Sequence, residues 1–270
     1  MPRGIENLTR LEVLRPFIVN KEEDVSNIQE LADLKSLQEL GIVNLENVRG
    51  GKIEAEKANF KGKQNIRNLS LEWKKNFQEE EEWTTNNSFM VLEGLQPHPN
   101  LKELSIEGFP GLKLPKWMGS SSCLPNLVKL NFKDCKSCTK LVGMGQLPCL
   151  QILGIQRMNS VKCLGKEFYC QQEEEEESKG SATPDTTTRI LFPSLTRLLI
   201  SNLENLEEWS APPQHDISFP CLEKLEIEEC GKLTSIPYLR LWTSSLTKLI
   251  IKDCQKLERD HPLNTHNQHQ

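Results

Sequence analysis

Cys135-x-x-Cys138 is the pattern in this chain whose residue types most resemble a chemical site, as half of a zinc or redox motif. A zinc site needs a second such pair at suitable spacing, and a redox role needs a strand–helix–strand setting; neither accompanies it. Cys135, Cys230 and Cys254 each stand three residues after a recurring apolar anchor. A small, weakly polar side chain at that position can tuck beneath a turn. Gly50-Gly51-Lys52 approaches a phosphate-cradling loop, but Glu46 stands where the first Gly belongs and Ile53 where the Mg²⁺-binding hydroxyl belongs. Neither Gly-x-Ser-x-Gly nor His-Glu-x-x-His occurs. His261, His266 and His269 lie in a polar tail without cysteine partners or helical spacing, which reads as a frayed end. No catalytic, cofactor-binding or metal-ligating residue is expected, and the chain reads as a non-enzyme.

The elements that hold these residues must then be built for something else. The chain has 270 residues, a formal net charge of −5 and only 6% aromatic residues, but 39 leucines. Its mean hydropathy is −0.51. Burial must therefore rest on leucine, as in a repetitive core. No run approaches the ~18 apolar residues that a membrane-spanning helix requires. A pI near 5.7 argues against a nucleic-acid module, which carries a concentrated basic face. No apolar leader follows Met1-Pro2-Arg3-Gly4-Ile5-Glu6, so the nine cysteines read as reduced thiols in the cytoplasm. The triplets Asn7-Leu8-Thr9, Asn68-Leu69-Ser70 and Asn86-Asn87-Ser88 then read as coincidental glycosylation matches.

An internal repeat organises the leucines. Leu-x-x-Leu-x-(apolar) recurs at Leu8-Leu11-Val13, Leu37-Leu40-Ile42, Ile66-Leu69-Leu71, Leu101-Leu104-Ile106 and Leu127-Leu130-Phe132. It continues at Leu150-Leu153-Ile155, Leu195-Leu198-Ile200, Leu222-Leu225-Ile227 and Leu246-Leu249-Ile251. Six of the eight spacings between first anchors fall in the 20–29 window of leucine-rich repeats; the other two, 35 and 45, carry insertions. The second and third anchors alternate with polar residues, as on a half-buried strand. Trains such as Ile200-Leu203-Leu206-Trp209 then carry each coil onward. An amphipathic helix array also uses three-residue steps, but the alternation favours strands. The expected fold is an α/β leucine-rich-repeat solenoid: about nine units, a parallel concave β-sheet, and an irregular or short-helical convex side.

Residues between the anchors should face outward along that sheet. They include Glu103, Ser105 and Glu107; Lys129, Asn131 and Lys133; Gln156; Arg197 and Ser201; Lys224, Glu226 and Glu228; and Lys248 and Lys252. Bands of mixed sign suit a protein partner by charge complementarity and suit a polyanion poorly. One array over 1–270 is expected, opened at its N-terminal edge, where an apolar coil would lack a cap. Charged, apolar-poor stretches suggest solvated insert loops at 76–90 and 171–189, and 260–270 a disordered tail. Lys52 to Lys63 favours helix.

Several phrases are more specific than the repeat. Leu31-Ala32-Asp33-Leu34-Lys35-Ser36-Leu37-Gln38-Glu39-Leu40, Leu45-Glu46-Asn47-Val48 and Leu69-Ser70-Leu71-Glu72-Trp73 resemble the C-terminal repeats of plant coiled-coil-type NLR immune receptors. So do Leu114-Pro115-Lys116-Trp117-Met118 and Gly145-Gln146-Leu147-Pro148-Cys149-Leu150 running on to Glu167-Phe168-Tyr169. Leu141-Val142-Gly143-Met144-Gly145 departs from the family's Leu-Pro-Pro-Leu-Gly, which should loosen that turn. The resemblance implies pathogen surveillance, with a pathogen effector or guarded host protein as partner, and possibly a nucleotide-binding switch domain in a parent receptor. That switch domain has no counterpart in these residues. The alternative is a substrate-recognition subunit of a ubiquitin ligase.

Overall fold

The computed structural model describes residues 4–21, 27–74, 81–170, 188–213, 216–237 and 245–260. Its strands are β1 (Val13–Ile18), β2 (Glu39–Val43), β3 (Asn68–Glu72), β4 (Glu103–Glu107), β5 (Lys129–Lys133), β6 (Ile152–Gln156), β7 (Cys163–Leu164), β8 (Ile190–Leu191), β9 (Arg197–Ser201), β10 (Glu208–Trp209), β11 (Ile217–Ser218), β12 (Lys224–Glu228) and β13 (Lys248–Lys252). Nine of them form one parallel sheet in the order β1-β2-β3-β4-β5-β6-β9-β12-β13. Sequence order and spatial order coincide, as stacked coils require. The expected leucine-rich-repeat solenoid is the observed fold.

Second and third anchors lie opposite one another from coil to coil, as in Leu104↔Leu130 and Ile106↔Phe132, and are buried from β2 to β12, whereas Leu249 and Ile251 of β13 are half-buried. Each buried Leu or Ile contributes roughly 1.5–3 kcal/mol. The first coil departs from its expected register. Leu14 pairs with Leu40 and Phe17 with Ile42 across a bulge, while Leu8 and Val13 are 54% and 55% exposed. The buried pair is thus Leu14 and Phe17, and Pro16 sits in the bulge that adds a residue between them.

Backbone hydrogen bonds tie the coils with great regularity. Two consecutive N–H groups at each strand entrance donate to one carbonyl of the preceding coil: Lys102 and Glu103 to Arg67, Val128 and Lys129 to Lys102, Gln151 and Ile152 to Val128. The same fork recurs through Thr196 and Arg197, Glu223 and Lys224, and Thr247 and Lys248. At the strand exit, Asn44, Gly108, Asp134, Arg157, Asn202, Glu229 and Asp253 all have positive φ. Each stands two residues after a third anchor. Several extend the ladder: Gly108 donates to Lys133 O, Asp134 to Gln156 O, and Asn202 to Glu228 O.

A second ladder runs just before the first anchors. Asn65, Asn100 and Asn126 donate Nδ2 to Lys35 O, Gln64 O and Pro99 O at 3.1, 2.9 and 3.1 Å. Ser36, Ser194 and Ser245 do the same with Oγ toward Thr9 O, Pro148 O and Pro220 O. The three cysteines behave as a small residue under the turn should. Cys135, Cys230 and Cys254 are fully buried, and their thiols donate to strand-end carbonyls.

Helices fill the longer connections: α1 (Gly51–Glu56), α2 (Glu81–Gly94), α3 (Lys166–Tyr169) and α4 (Gln255–Asp260). From residue 81 onward helix α2 replaces the expected loop at 76–90, whose residues 76–80 lie outside the described residues. Ser88, Val91, Leu92 and Leu95 are buried at i, i+3, i+4 and i+7, and that stripe outweighs the acidic run before it. Its partner is α1, where a Cβ on Gly94 would lie 2.6 Å from Lys52 O. The expected helix at 52–63 is split into α1 and a 3₁₀ turn at Phe60–Gly62, separated by left-handed Asn59. Residues 171–187 of the second expected loop and 261–270 of the tail lie outside the described residues; Asp260 itself closes α4.

An aromatic cluster carries the 45-residue spacing. Phe168, Tyr169, Phe192, Trp209 and Phe219 are buried together, with Phe192 and Phe219 stacked at 4.8 Å. The Tyr169 hydroxyl accepts from Trp209 Nε1 at 2.9 Å and donates to Ser210 O at 3.0 Å. The turn at Gly145 is tight and not loosened: a Cβ there would lie 2.3 Å from Tyr169 O. Short parallel pairs β7–β10 and β8–β11 line the same region. Lys63, fully buried, donates its ammonium to Leu31 O, Ala32 O and Leu34 O.

Tyr169→Phe strands a buried indole N–H and a carbonyl, so urea unfolding should show a loss of about 1–3 kcal/mol. Burial pushes the Lys63 ammonium down to about 8 from its ordinary 10.5. The unfolded chain then binds more protons between those values, so stability contributed at Lys63 rises with pH. Denaturation at pH 7 and pH 10 should show the wild type gaining on Lys63→Met. A constant difference would refute it.

Candidate functional site

The open face of the nine-stranded sheet follows from the alternation: anchors go in, and the residues between them go out. The fourteen residues expected on it all fall there, in three rows set by the register. Glu103, Lys129, Ile152, Arg197, Lys224 and Lys248 form the first row, and Ser105, Asn131, Gly154, Leu199, Glu226 and Ile250 the second. Glu107, Lys133, Gln156, Ser201, Glu228 and Lys252 form the third. The rows continue toward β1 through Glu39, Asn68, Ser70 and Glu72, and the spacing from Leu37-Leu40-Ile42 and Ile66-Leu69-Leu71 already carries that extension.

Charges of opposite sign meet across strands. Lys133 Nζ lies 2.5 Å from Glu107 Oε1, Lys129 Nζ 3.7 Å from Glu103 Oε2, and Lys252 Nζ 3.5 Å from Glu228 Oε1. Lys224 pairs with Glu226 along its own strand at 2.8 Å, and Arg15 with Glu39 at 3.5 Å. The acidic band on β4 and the basic band on β5 are thus each other's partners. Among the described residues Arg197 and Lys248 have no ion pair, so they join Lys224 as the cationic end of the first row. Asn131 lies over Gly154, where a Cβ would come within 2.5 Å of its Oδ1.

A bidentate pair sits at the edge of this face. Arg157 donates Nε and Nη2 to Asp134 Oδ1 and Oδ2, both at 2.7 Å. Both are left-handed residues of adjacent strand exits, a placement that anchor spacing alone does not reveal. The Arg157 guanidinium holds the Asp134 carboxyl below the usual carboxylate range. Among the described residues no group of three or more His, Cys, Asp or Glu is arranged to hold a metal ion. No described helix is long and apolar enough to cross a membrane. Such a face can grip a surface by shape and charge.

A lowered folded pKa contributes stability that is present above the unfolded value and lost as pH falls through the folded one. Asp134→Asn should therefore cost about 1 kcal/mol at neutral pH, with the pair partly exposed. That difference should shrink below about pH 4. Urea titrations of both proteins at pH 7 and pH 3.5 measure it.

Residues 100–255 match the family model for plant disease resistance protein RPS2-like leucine-rich repeats, and residues 28–158 match the model R13L1/DRL21 LRRs. Disease resistance protein RGA2 of Solanum bulbocastanum is 34% identical over 241 residues, which cover 88% of this chain and 23% of that protein. Putative disease resistance RPP13-like protein 1 of Arabidopsis thaliana is 31% identical, covering 87% of this chain and 22% of the relative. Putative disease resistance protein RGA1 of Solanum bulbocastanum is 30% identical over 92% of this chain and 23% of its own length. The chain thus spans less than a quarter of the curated relatives it matches. With that coverage, and a sheet whose anchors repeat coil after coil, the chain belongs to the leucine-rich-repeat family of plant disease resistance proteins.

Proposed function

We propose that the open sheet face is a protein-recognition surface of a plant immune receptor, acting in the cytoplasm by binding and not by catalysis. Its partner would be a pathogen effector or a guarded host protein, and in a longer receptor the array would also meet a nucleotide-binding switch domain. The observation that carries this reading is the continuity of the face. Glu103 to Lys252 form three unbroken rows with alternating bands of charge. A partner whose bands complement these can exchange an internal ion pair for an external one at little cost, because exposed pairs contribute only about 0–1 kcal/mol. Resistance-protein relatives favour this reading over a ubiquitin-ligase recognition subunit.

Reversing Lys129 and Lys133 alone would set like charges against Glu103 and Glu107, confounding recognition with stability. Exchanging all four (Glu103→Lys, Glu107→Lys, Lys129→Glu, Lys133→Glu) keeps every pair and the net charge while inverting the pattern. The variant should melt like the wild type and lose the wild-type partner set in proximity labelling from leaf cells. A folded variant with the same partners overturns the proposal.

A further inference from the structure

Charge divides the open face into a centre and two flanks. On one flank Lys129 and Lys133 of β5 are paired with Glu103 and Glu107 of β4. On the other, Lys224 is paired with Glu226 and Lys252 with Glu228. Between them lies β6, whose residues on the face, Ile152, Gly154 and Gln156, are all uncharged. Its neighbour β9 sets Arg197, Leu199 and Ser201 in register with them. Ile152 therefore stands beside Arg197, and Gly154 beside Leu199.

The polar groups of this centre are unspent. Gly154 is buried beneath two carboxamides: a Cβ built on it would lie 2.5 Å from Asn131 Oδ1 and 3.8 Å from Gln156 Nε2. Both amides converge on the glycine, and among the described residues neither makes a hydrogen bond, nor does Arg197 make an ion pair. Asn131, Ile152, Gln156 and Leu199 are partly exposed and Arg197 is exposed, so a guest can touch every one of them. Protein interfaces share this anatomy, with charge depleted at the centre and gathered at the rim. The groups that decide affinity cluster near the middle. Each carboxamide offers a donor and an acceptor, the complement of a peptide unit.

We propose that this centre holds an extended peptide segment of a protein partner, carrying an acidic residue close to a large apolar one. Asn131 and Gln156 bond its main-chain amide, the apolar side chain covers Ile152 and Leu199, and the carboxylate accepts from Arg197. Strands lie ~4.8 Å apart and alternate residues of a strand ~6.7 Å, which puts Arg197 roughly 8 Å from Gly154. The carboxylate therefore belongs about two extended residues from the amide that the carboxamides hold. Charge selects this occupant. An acidic guest gains a charge-assisted bond to Arg197 without breaking an existing pair, and a basic guest gains none. A polyanion leaves the apolar wall wet. The inference deepens the reading of the open face as a protein-recognition surface and rests on it.

The probe is a library of random linear peptides displayed on phage and panned on the full chain, the selected peptides then being titrated by fluorescence anisotropy. They should share an acidic residue near a large apolar one. Leu199→Asp should weaken them at least about tenfold, the scale of one buried aliphatic side chain. Arg197→Gln should cost about tenfold for the acidic peptide and nothing for the same peptide with its acid made an amide. Gly154→Ala, whose Cβ displaces the Asn131 amide, should weaken them as well. Thermal melts check that each variant folds as the wild type does. Absence of any enriched peptide, a basic consensus, or peptides indifferent to Leu199→Asp and Arg197→Gln overturn the proposal. So does self-association of the chain that Leu199→Asp relieves. Such a failure, beside a leaf-cell partner set that still changes on the four-residue exchange, leaves the broader reading of the face standing. Peptide binding as expected, beside a partner set indifferent to Leu199→Asp, counts against that broader reading instead.

Discussion

One carbonyl per coil sets the spacing of the whole array. Arg67 O, Lys102 O, Val128 O, Gln151 O, Thr196 O and Glu223 O each accept two successive N–H groups from the next coil. Because both donors belong to the strand entrance, the fork fixes the register of the following five residues. A slip by one would turn every anchor outward. The leucines supply the free energy of the fold, but they are interchangeable in kind. The forks decide which leucine faces which.

The constraint shows where the array tolerates variation. Between a strand exit and the next entrance the chain is free in length, provided it returns the fork donors to the same carbonyl. Thr196 and Arg197 still meet Gln151 O after the 45-residue spacing. What closes that long excursion is aromatic: Phe168 and Tyr169 on one side of it, Phe192 on the other, with Trp209 and Phe219 from the next coil. Tyr169 and Trp209 bring polar atoms into this cluster and satisfy each other, so neither ring leaves its own polar atom unpartnered there.

The strands were legible because the anchors are periodic and the outward residues beside them are apolar in only three of these strands, at Ile152, Leu199 and Ile250. The inward and outward faces therefore follow from Leu104 and Ile106 without coordinates. The first coil was not legible, because Leu8-Leu11-Val13 satisfies the spacing of the other coils, whereas the buried pair Leu14 and Phe17 stands three residues apart across the bulge at Pro16. Helix α2 has a visible signal, since Ser88, Val91, Leu92 and Leu95 have helical spacing, but it follows an acidic run of the kind that marks a solvated loop. The Pro-(Asn/Ser/Cys)-Leu phrase at Pro99-Asn100-Leu101, Pro125-Asn126-Leu127 and Pro193-Ser194-Leu195 was also a visible signal for the side-chain ladder. The left-handed row was hidden for a physical reason. Asn, Gly and Asp favour positive φ, but Arg157 and Glu229 do not, so residue type fails to mark the position.

Those two exceptions indicate what the row is for. A residue forced into the left-handed region without the help of glycine or asparagine costs about 1 kcal/mol or more, and the surrounding structure must impose it. At Arg157 the imposition is visible, since its N–H donates to Ser201 O and its guanidinium is clasped by Asp134. The turn therefore presents whatever side chain the position carries in a fixed direction along the edge of the sheet, independent of local preference. An open face built from lysines and glutamates offers breadth, with partly exposed ion pairs between neighbouring side chains. The strand-exit row offers rigidity beside it.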